Sequence, residues 1–233
     1  MESVIAILNA FFPDQTVKHG PFQGLKFLNF DNYHHNLFPK LLGSFEMELQ
    51  RVIQQIIKNK YDTIINIGCA EGYYTIGLAL KIKSASVMAF DTDPLAQTLC
   101  NEMAKLNNVQ DRVNVLGECK ISDLVSLSLK NTLILCDCEG YEKELFNAST
   151  AHYFKNCDLL VETHDCFDAA ISHQIKHAFS KSHVVQSIKS ISDQQKAETY
   201  QFEEINQLKL SAKEMLLAER RSGIMEWLFI KSQ

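Results

Sequence analysis

Apolar residues fall into short unbroken runs along most of this chain, and the spacing between the runs sets the expected fold. They occur at Thr63–Ile67, Ser86–Phe90, Val113–Leu116, Thr132–Cys136, Leu159–Glu162, Val184–Ile188 and Trp227–Ile230. Short runs of this kind without polar alternation are what strands covered on both faces require. Helical spacing separates most of them, at about 72–82, 94–107, 142–149, 167–179 and 203–220. Strand and helix in alternation predict an α/β fold. The expected form is a Rossmann-like, seven-stranded, mostly parallel sheet with helices on both faces. The last connection is long, so the last strand is expected antiparallel. Residues 189–201 (KSISDQQKAETYQ) are polar and read as a mobile surface loop.

Upstream of Tyr61 the pattern differs. Val4, Ile5, Leu8, Phe11 and Phe12 lie at helical spacing, beside Glu2 and without a basic stretch. They read as a short packed helix rather than a leader. Residues 17–27 read as two extended runs about the Gly20-Pro21 turn, and 31–43 as irregular. Ser44 is placed to cap a helix of about fourteen residues. Leu49, Val52, Ile53, Ile56 and Ile57 form its apolar stripe. The expected division is an N-terminal helical and hairpin cap over 1–59 and a core over 60–233.

Composition narrows the function. The chain has 233 residues, 46% hydrophobic and 22% charged, with only 4 Pro and 9 Gly. That excludes a disordered or collagen-like chain. The net charge of −5 argues against a nucleic-acid or acidic-membrane partner, either of which needs a positive field. No apolar stretch reaches the roughly 18 residues of a membrane span. The 7 cysteines are odd in number and several sit inside apolar runs, which suits free thiols in a reducing, cytoplasmic setting. A structural zinc on Cys136, Cys138, His164 and Cys166 lacks the usual ligand spacing.

In an open α/β sheet, ligands bind beyond the carboxyl ends of the strands. The first run is followed by Gly68-Cys69-Ala70-Glu71-Gly72, whose glycines allow a tight turn and close approach to a ligand. The second is followed by Asp91-Thr92, the third by Gly117-Glu118, the fourth by Asp137-Cys138-Glu139-Gly140-Tyr141-Glu142 and the fifth by His164-Asp165. Asp91 is spaced to accept two hydrogen bonds from a ribose diol. Any one of these carboxylates could simply cap a helix. Together with the glycine turn they describe a nucleoside pocket of negative potential, suited to a cationic ligand rather than a diphosphate.

These residues resemble the class I S-adenosylmethionine-dependent methyltransferases, and within them the FkbM-type family. The matching blocks are residues 64–75, 89–94, 136–142 and 161–164, with Gly43-Ser44-Phe45-Glu46 upstream. Asn66 and Asp91 depart from the family's usual Asp and Glu, and Ala70 replaces the second glycine. The resemblance implies S-adenosylmethionine as cofactor. Asn66, Gly68, Cys69, Ala70, Glu71, Gly72, Asp91, Thr92, Glu118 and Asp137 would form its site. Gly68, Ala70 and Gly72 would line its methionine and ribose parts, Asp91 would hold the ribose, and Glu118 would meet the adenine. It implies O-methylation of a small-molecule hydroxyl; the expected partners are that acceptor and a second copy of the chain in a homodimer, with no nucleic acid and no membrane, as the charge already argues.

Candidate bases for that chemistry are His164, Asp137 and Glu139. His164 has an ordinary pKa suited to general-base work near neutrality. No metal is expected, although Asp137, Glu139 and His164 could alternatively hold a divalent ion. Tyr33, His34 and His35 read either as residues closing over the acceptor or as a solvated loop. Arg220 and Arg221 read as caps of the last helix or as contacts to an acidic acceptor. Two other functions share the pattern. One is an NAD(P)-dependent oxidoreductase, although G-x-G-x-x-G is absent. The other is a non-catalytic module on the same fold.

Overall fold

The computed structural model describes residues 2–28 and 36–233. Seven strands form one sheet: β1 (Thr63–Ile67), β2 (Ser86–Phe90), β3 (Val113–Leu116), β4 (Thr132–Cys136), β5 (Cys157–Thr163), β6 (His183–Lys189) and β7 (Glu226–Ser232). Their order is β3-β2-β1-β4-β5-β7-β6. Pairing is parallel except for β7, which runs antiparallel between β5 and β6. The strand order reverses between β1 and β4, so a crevice opens at their carboxyl ends.

Side-chain alternation sends successive residues of each strand into two separate cores. Ile64, Val87, Ala89, Leu133, Leu135, Leu160, Trp227 and Phe229 face one of them. On that side lie α3 (Gln50–Asn59), α4 (Tyr73–Lys81), α5 (Pro94–Leu106) and α10 (Leu210–Leu217). Ile65, Ile67, Phe90, Ile134, Cys136, Leu159, Val161, Leu228 and Ile230 face the other core. There the cover is α6 (Ile121–Val125), α7 (Glu142–Leu145) and α8 (Ile171–Phe179). Residues alternately committed to two apolar faces explain why the runs in sequence are continuous.

The N-terminal segment packs into the first of these cores. It carries α1 (Glu2–Phe11), the Thr16–Lys26 bridge and α2 (Leu37–Leu42). The Asn107 side chain clamps Lys26 from both sides, accepting from its N–H at 2.9 Å and donating to its carbonyl at 2.8 Å. The Phe22 ring fills the space that a Cβ on Gly77 would occupy.

Several expectations need correction. The stretch 31–43, read as irregular, contains α2. The helix expected from Ser44 begins only at Gln50, after a 3-10 turn over Met47–Leu49. Ser44 bonds the Pro39 carbonyl instead of capping, and Glu46 takes a left-handed φ of 47°. The supposed surface loop 189–201 contains α9 (Asp193–Thr199), capped by Ser192, with Lys196 buried. The helix expected over 203–220 shortens to α10, and that over 142–149 to α7. Buried ion pairs, described below, account for the behaviour of Glu46 and Lys196.

Candidate active site

The loop after β1 is built around one contact. A Cβ on Gly68 would lie 1.6 Å from the Asp137 carbonyl oxygen, and Gly68 has φ 78°. Only glycine lets the ends of β1 and β4 meet there. Ala70 follows with φ 45°. Its N–H donates to Asp91 Oδ2 at 2.8 Å, while the Asp93 N–H donates to Asp91 Oδ1 at 2.9 Å. Asp91 therefore orders two loops. A carboxylate has about four acceptor positions, so capacity remains for a diol.

A cavity of about 470 Å³ opens at this point. Gly68, Ala70, Asp91, Thr92, Glu118, Asp137 and Glu139 line it, with Ile67, Phe90, Cys119, Cys138 and Tyr141. Among the described residues no lysine or arginine lines the cavity. An acid-rimmed, half-apolar pocket fits a cationic nucleoside and offers nothing to the diphosphate of NAD(P). The donor set thus fits S-adenosylmethionine.

Four residues expected in this pocket turn elsewhere. The Asn66 amide donates to Thr75 Oγ1 at 2.7 Å beneath the loop. The buried Cys69 thiol faces the Ala70 carbonyl at 3.7 Å, and the neighbouring Cys100 thiol together with burial pushes its pKa well up. Glu71 is buried against the Lys40 ammonium, which lies 4.9 Å over the Phe45 ring. Gly72 begins α4, where a Cβ would stand 3.0 Å from Ile76 and 3.1 Å from Cys100. Alternate loop residues point to the cavity and back into the core, so only Gly68 and Ala70 reach the ligand side.

A second hollow, about 290 Å³, adjoins the first and shares Asp137 and Glu139 with it. His164, Glu162, Glu46, Glu219 and Arg221 also line it, beside Phe45, Phe167 and Met225. His164 is 4% exposed. Its backbone N–H and its Nδ1 both bond Glu142 Oε1 at 2.8 Å. Its Nε2 stands 3.5 Å from both Asp137 Oδ1 and Glu139 Oε2, and 3.8 Å from Glu162 Oε2. Asp137, Glu162 and His164 together present donor atoms within 4.8 Å of one another, the arrangement that could hold a metal. Glu139, by contrast, is largely exposed at the rim.

The electrostatics alter the expected role of His164. Burial alone would lower its pKa, but Glu142, Asp137 and Glu162 overcome that and raise it to about 9. Asp137 is raised to about 6 by its enclosed position and by Glu46, against the lowering effect of His164. The His164 contact holds Glu142 below its ordinary value in spite of burial. These neighbours favour the protonated form of His164 at neutral pH over a free base.

Behind these groups lies a buried charge network that the sequence reading missed. Arg221 pairs with Glu46, Glu162 and Glu219. Lys196 holds Glu219 at 2.6 Å, and the Tyr74 hydroxyl donates to Glu46. Arg221 is therefore tied into this network at the wall of the second hollow rather than capping the last helix. Glu46 and Glu162 are each raised to about 8, chiefly by burial and further by neighbouring carboxylates, against the lowering effect of Arg221. The sequence shows Glu46 within the block upstream of the core, Glu162 at the end of the fifth run and Arg221 after the last helix, but nothing in it pairs them. Tyr33, His34 and His35 lie outside the described residues. All seven cysteines are free, with Cys166 exposed. No helix among the described residues is long and apolar enough to cross a membrane.

Comparison with known proteins agrees with this geometry. The family model of the ribosomal protein L11 methyltransferase (PrmA) matches residues 46–138. The ribosomal protein L11 methyltransferase of Herpetosiphon aurantiacus is 33% identical over 64 residues, 28% of this chain and 20% of that protein. The chain thus matches about a fifth of that curated relative's length. A Klebsiella pneumoniae protein assigned as an O-methyltransferase superposes with TM-score 0.55 at 11% identity, covering 80% of this chain and 81% of that one. The O-methyltransferase TomG of Streptomyces achromogenes, solved with S-adenosylmethionine, superposes with TM-score 0.52 at 10% identity, covering 77% of each chain. These likenesses establish the Rossmann-like methyltransferase fold. With the acid-rimmed nucleoside cavity at the β1/β4 switch point, they show that the chain has the Rossmann-like fold of S-adenosylmethionine-dependent methyltransferases, with a crevice that fits that cofactor.

Proposed function

We propose that this protein transfers the methyl group of S-adenosylmethionine to a hydroxyl of a small molecule, acting in the cytoplasm. One observation carries the reading: two adjoining hollows share the wall formed by Asp137 and Glu139. The first suits the cofactor and the second suits an acceptor. Within the class, the blocks at 136–142 and 161–164 support an FkbM-type enzyme. They lie at or beyond the end of the stretch that matches the L11 methyltransferase model.

The bound cofactor supplies an electrophilic methyl group on a cationic sulfur. The chain's residues do the rest. Asp91 receives the ribose hydroxyls while it keeps the loop at Ala70 closed. Gly68 allows the backbone to approach the ligand. Asp137, which borders both hollows, accepts a hydrogen bond from the acceptor hydroxyl and orients it toward the cofactor. Holding the reacting atoms in line is most of what such a displacement needs. His164, anchored by Glu142, faces Asp137 at 3.5 Å, and the acceptor's proton passes to the half-exposed Asp137 carboxylate and from there to solvent.

A second reading has support of its own. The match to a ribosomal protein methyltransferase model and the acidic second hollow fit an amine on a protein as acceptor. The test is release of S-adenosylhomocysteine in the presence of two panels, one of hydroxylated small molecules and one of ribosomal proteins. Turnover with the first panel supports the proposal, and turnover with the second panel alone supports the second reading. A protein that binds S-adenosylhomocysteine yet turns over neither is a non-catalytic module, and both readings fail.

A further inference from the structure

We infer that Asp137, Glu162 and His164 form a divalent-cation site whose ion is of the first-row class that accepts mixed imidazole and carboxylate ligands, such as Mn²⁺ or Zn²⁺. The site lies on the acceptor side of the shared wall, in the second hollow.

The distances suit an ion better than hydrogen bonds. His164 Nε2 lies 3.5 Å from Asp137 Oδ1 and 3.8 Å from Glu162 Oε2, at or beyond the limit of a useful hydrogen bond. Bonds of about 2.0–2.2 Å to one ion would set neighbouring donors roughly 3–4 Å apart. All three donor atoms fall within 4.8 Å of one another, so small rotations of the carboxylates complete the set.

The support behind the three donors points the same way. Glu142 is fully buried, and its Oε1 accepts both the backbone N–H and Nδ1 of His164 at 2.8 Å. A carboxylate at that position requires the hydrogen on Nδ1, so the neutral ring carries its lone pair on Nε2, aimed into the hollow. This is the carboxylate–histidine arrangement that orients metal-binding imidazoles. The His164 side chain is 5% exposed, and its Nε2 faces the carboxylates of Asp137, Glu139 and Glu162 at 3.5–3.8 Å. Glu162 is divided in the same sense. Arg221 engages its Oε1, which leaves Oε2 toward His164. Asp137 is pinned through its backbone, with its N–H donating to the Ile67 carbonyl at 2.9 Å.

The chemistry of the set selects the ion. Carboxylates alone would suit Mg²⁺ or Ca²⁺, whereas an imidazole with a dedicated carboxylate behind it favours a transition ion. Such an ion would hold the oxygen of an acceptor and ease loss of its proton. That role rests on the hydroxyl-acceptor reading given above. Binding of the ion does not.

The experiment is a titration of chelator-treated protein with MnCl₂, following the free-Mn²⁺ signal by electron paramagnetic resonance, with ZnCl₂ as competitor. S-adenosylhomocysteine binding is measured on the same samples. The expected result is one Mn²⁺ per chain, displaced by Zn²⁺. Asp137→Asn and Glu162→Gln should each weaken it at least tenfold, and Glu142→Gln should do so by about 10–100-fold. Asp137 is the most exposed of these residues, so its variant serves where a buried change disturbs folding. Mn²⁺ binding without S-adenosylhomocysteine binding would support the metal site and sink the methyltransferase reading. Absence of Mn²⁺ and Zn²⁺ binding in protein that keeps its melting transition would overturn the inference, as would stoichiometric binding indifferent to Asp137→Asn.

Discussion

Gly68 and Asp137 touch backbone to backbone, with room between them for a hydrogen but not for a methyl group. A Cβ at Gly68 would lie 1.6 Å from the Asp137 carbonyl oxygen. The contact closes the floor of the crevice between β1 and β4 and sets the cofactor hollow against the acceptor hollow.

Gly68→Ala should therefore damage the fold and the site together. The clash is with backbone and φ is 78°, so nothing flexible can give way. The expected loss exceeds about 4 kcal/mol in urea unfolding, a size reserved for named structural faults. Gly117→Ala is the control, since no atom lies within 4 Å of its added Cβ. It should change stability by less than about 0.5 kcal/mol. Equal behaviour of the two variants would contradict the account of the crevice.

Asp91→Ala removes a carboxylate that orders Ala70 and Asp93 and borders the nucleoside cavity. Lost charge-assisted hydrogen bonds are worth about 1.5–3 kcal/mol. Calorimetric affinity for S-adenosylhomocysteine should thus fall by roughly 10–150-fold. Unchanged affinity would place the ribose elsewhere.

Asp137→Asn should reduce turnover by about 10²–10⁴-fold, as expected when a group that orients and deprotonates the acceptor is lost. Affinity for S-adenosylhomocysteine should fall much less. His164→Ala should likewise lower turnover with near-normal cofactor binding. Full turnover by His164→Ala at every pH would remove it from the mechanism.

The Arg221 network makes stability depend on pH in a defined direction. Glu46 is raised to about 8 in the folded protein, from an ordinary value near 4.5. Between those values the folded state holds a proton that the unfolded state has released. The contribution is full below the ordinary value and is lost as pH rises through 8. The melting temperature should fall between pH 5 and pH 8.5, measured in protein free of cofactor and metal. Glu46→Gln cannot release that proton, so its melting temperature should fall less over the same range. A parallel decline in both proteins would mean that Glu46 ionises normally.

How far the sequence anticipates the structure differs along the chain. The first four strands begin and end where the apolar runs do, because β1 and β4 are buried on both faces, β2 nearly so, and each of the four is followed by glycine or aspartate. Asp91, Asp137 and His164 were legible as residues following a strand. Glu46, Glu219 and Lys196 were not, since polar residues give no periodic signal and their partners are remote. Arg221 meets Glu46 across 175 positions of sequence. That remote pairing bends the chain at Glu46, and the Lys196–Glu219 pair buries a lysine in a segment that reads as loop. Likewise, nothing in the glycine turn announces that Cys69 and Glu71 face inward while Gly68 and Ala70 face the ligand.

Calorimetric titration of the purified protein with S-adenosylhomocysteine, with NADH in parallel, tests the central claim most directly. One S-adenosylhomocysteine site per chain, weakened by Asp91→Ala, and no heat with NADH are expected. Binding of NADH alone, or no heat and no rise in melting temperature with S-adenosylhomocysteine, would contradict it.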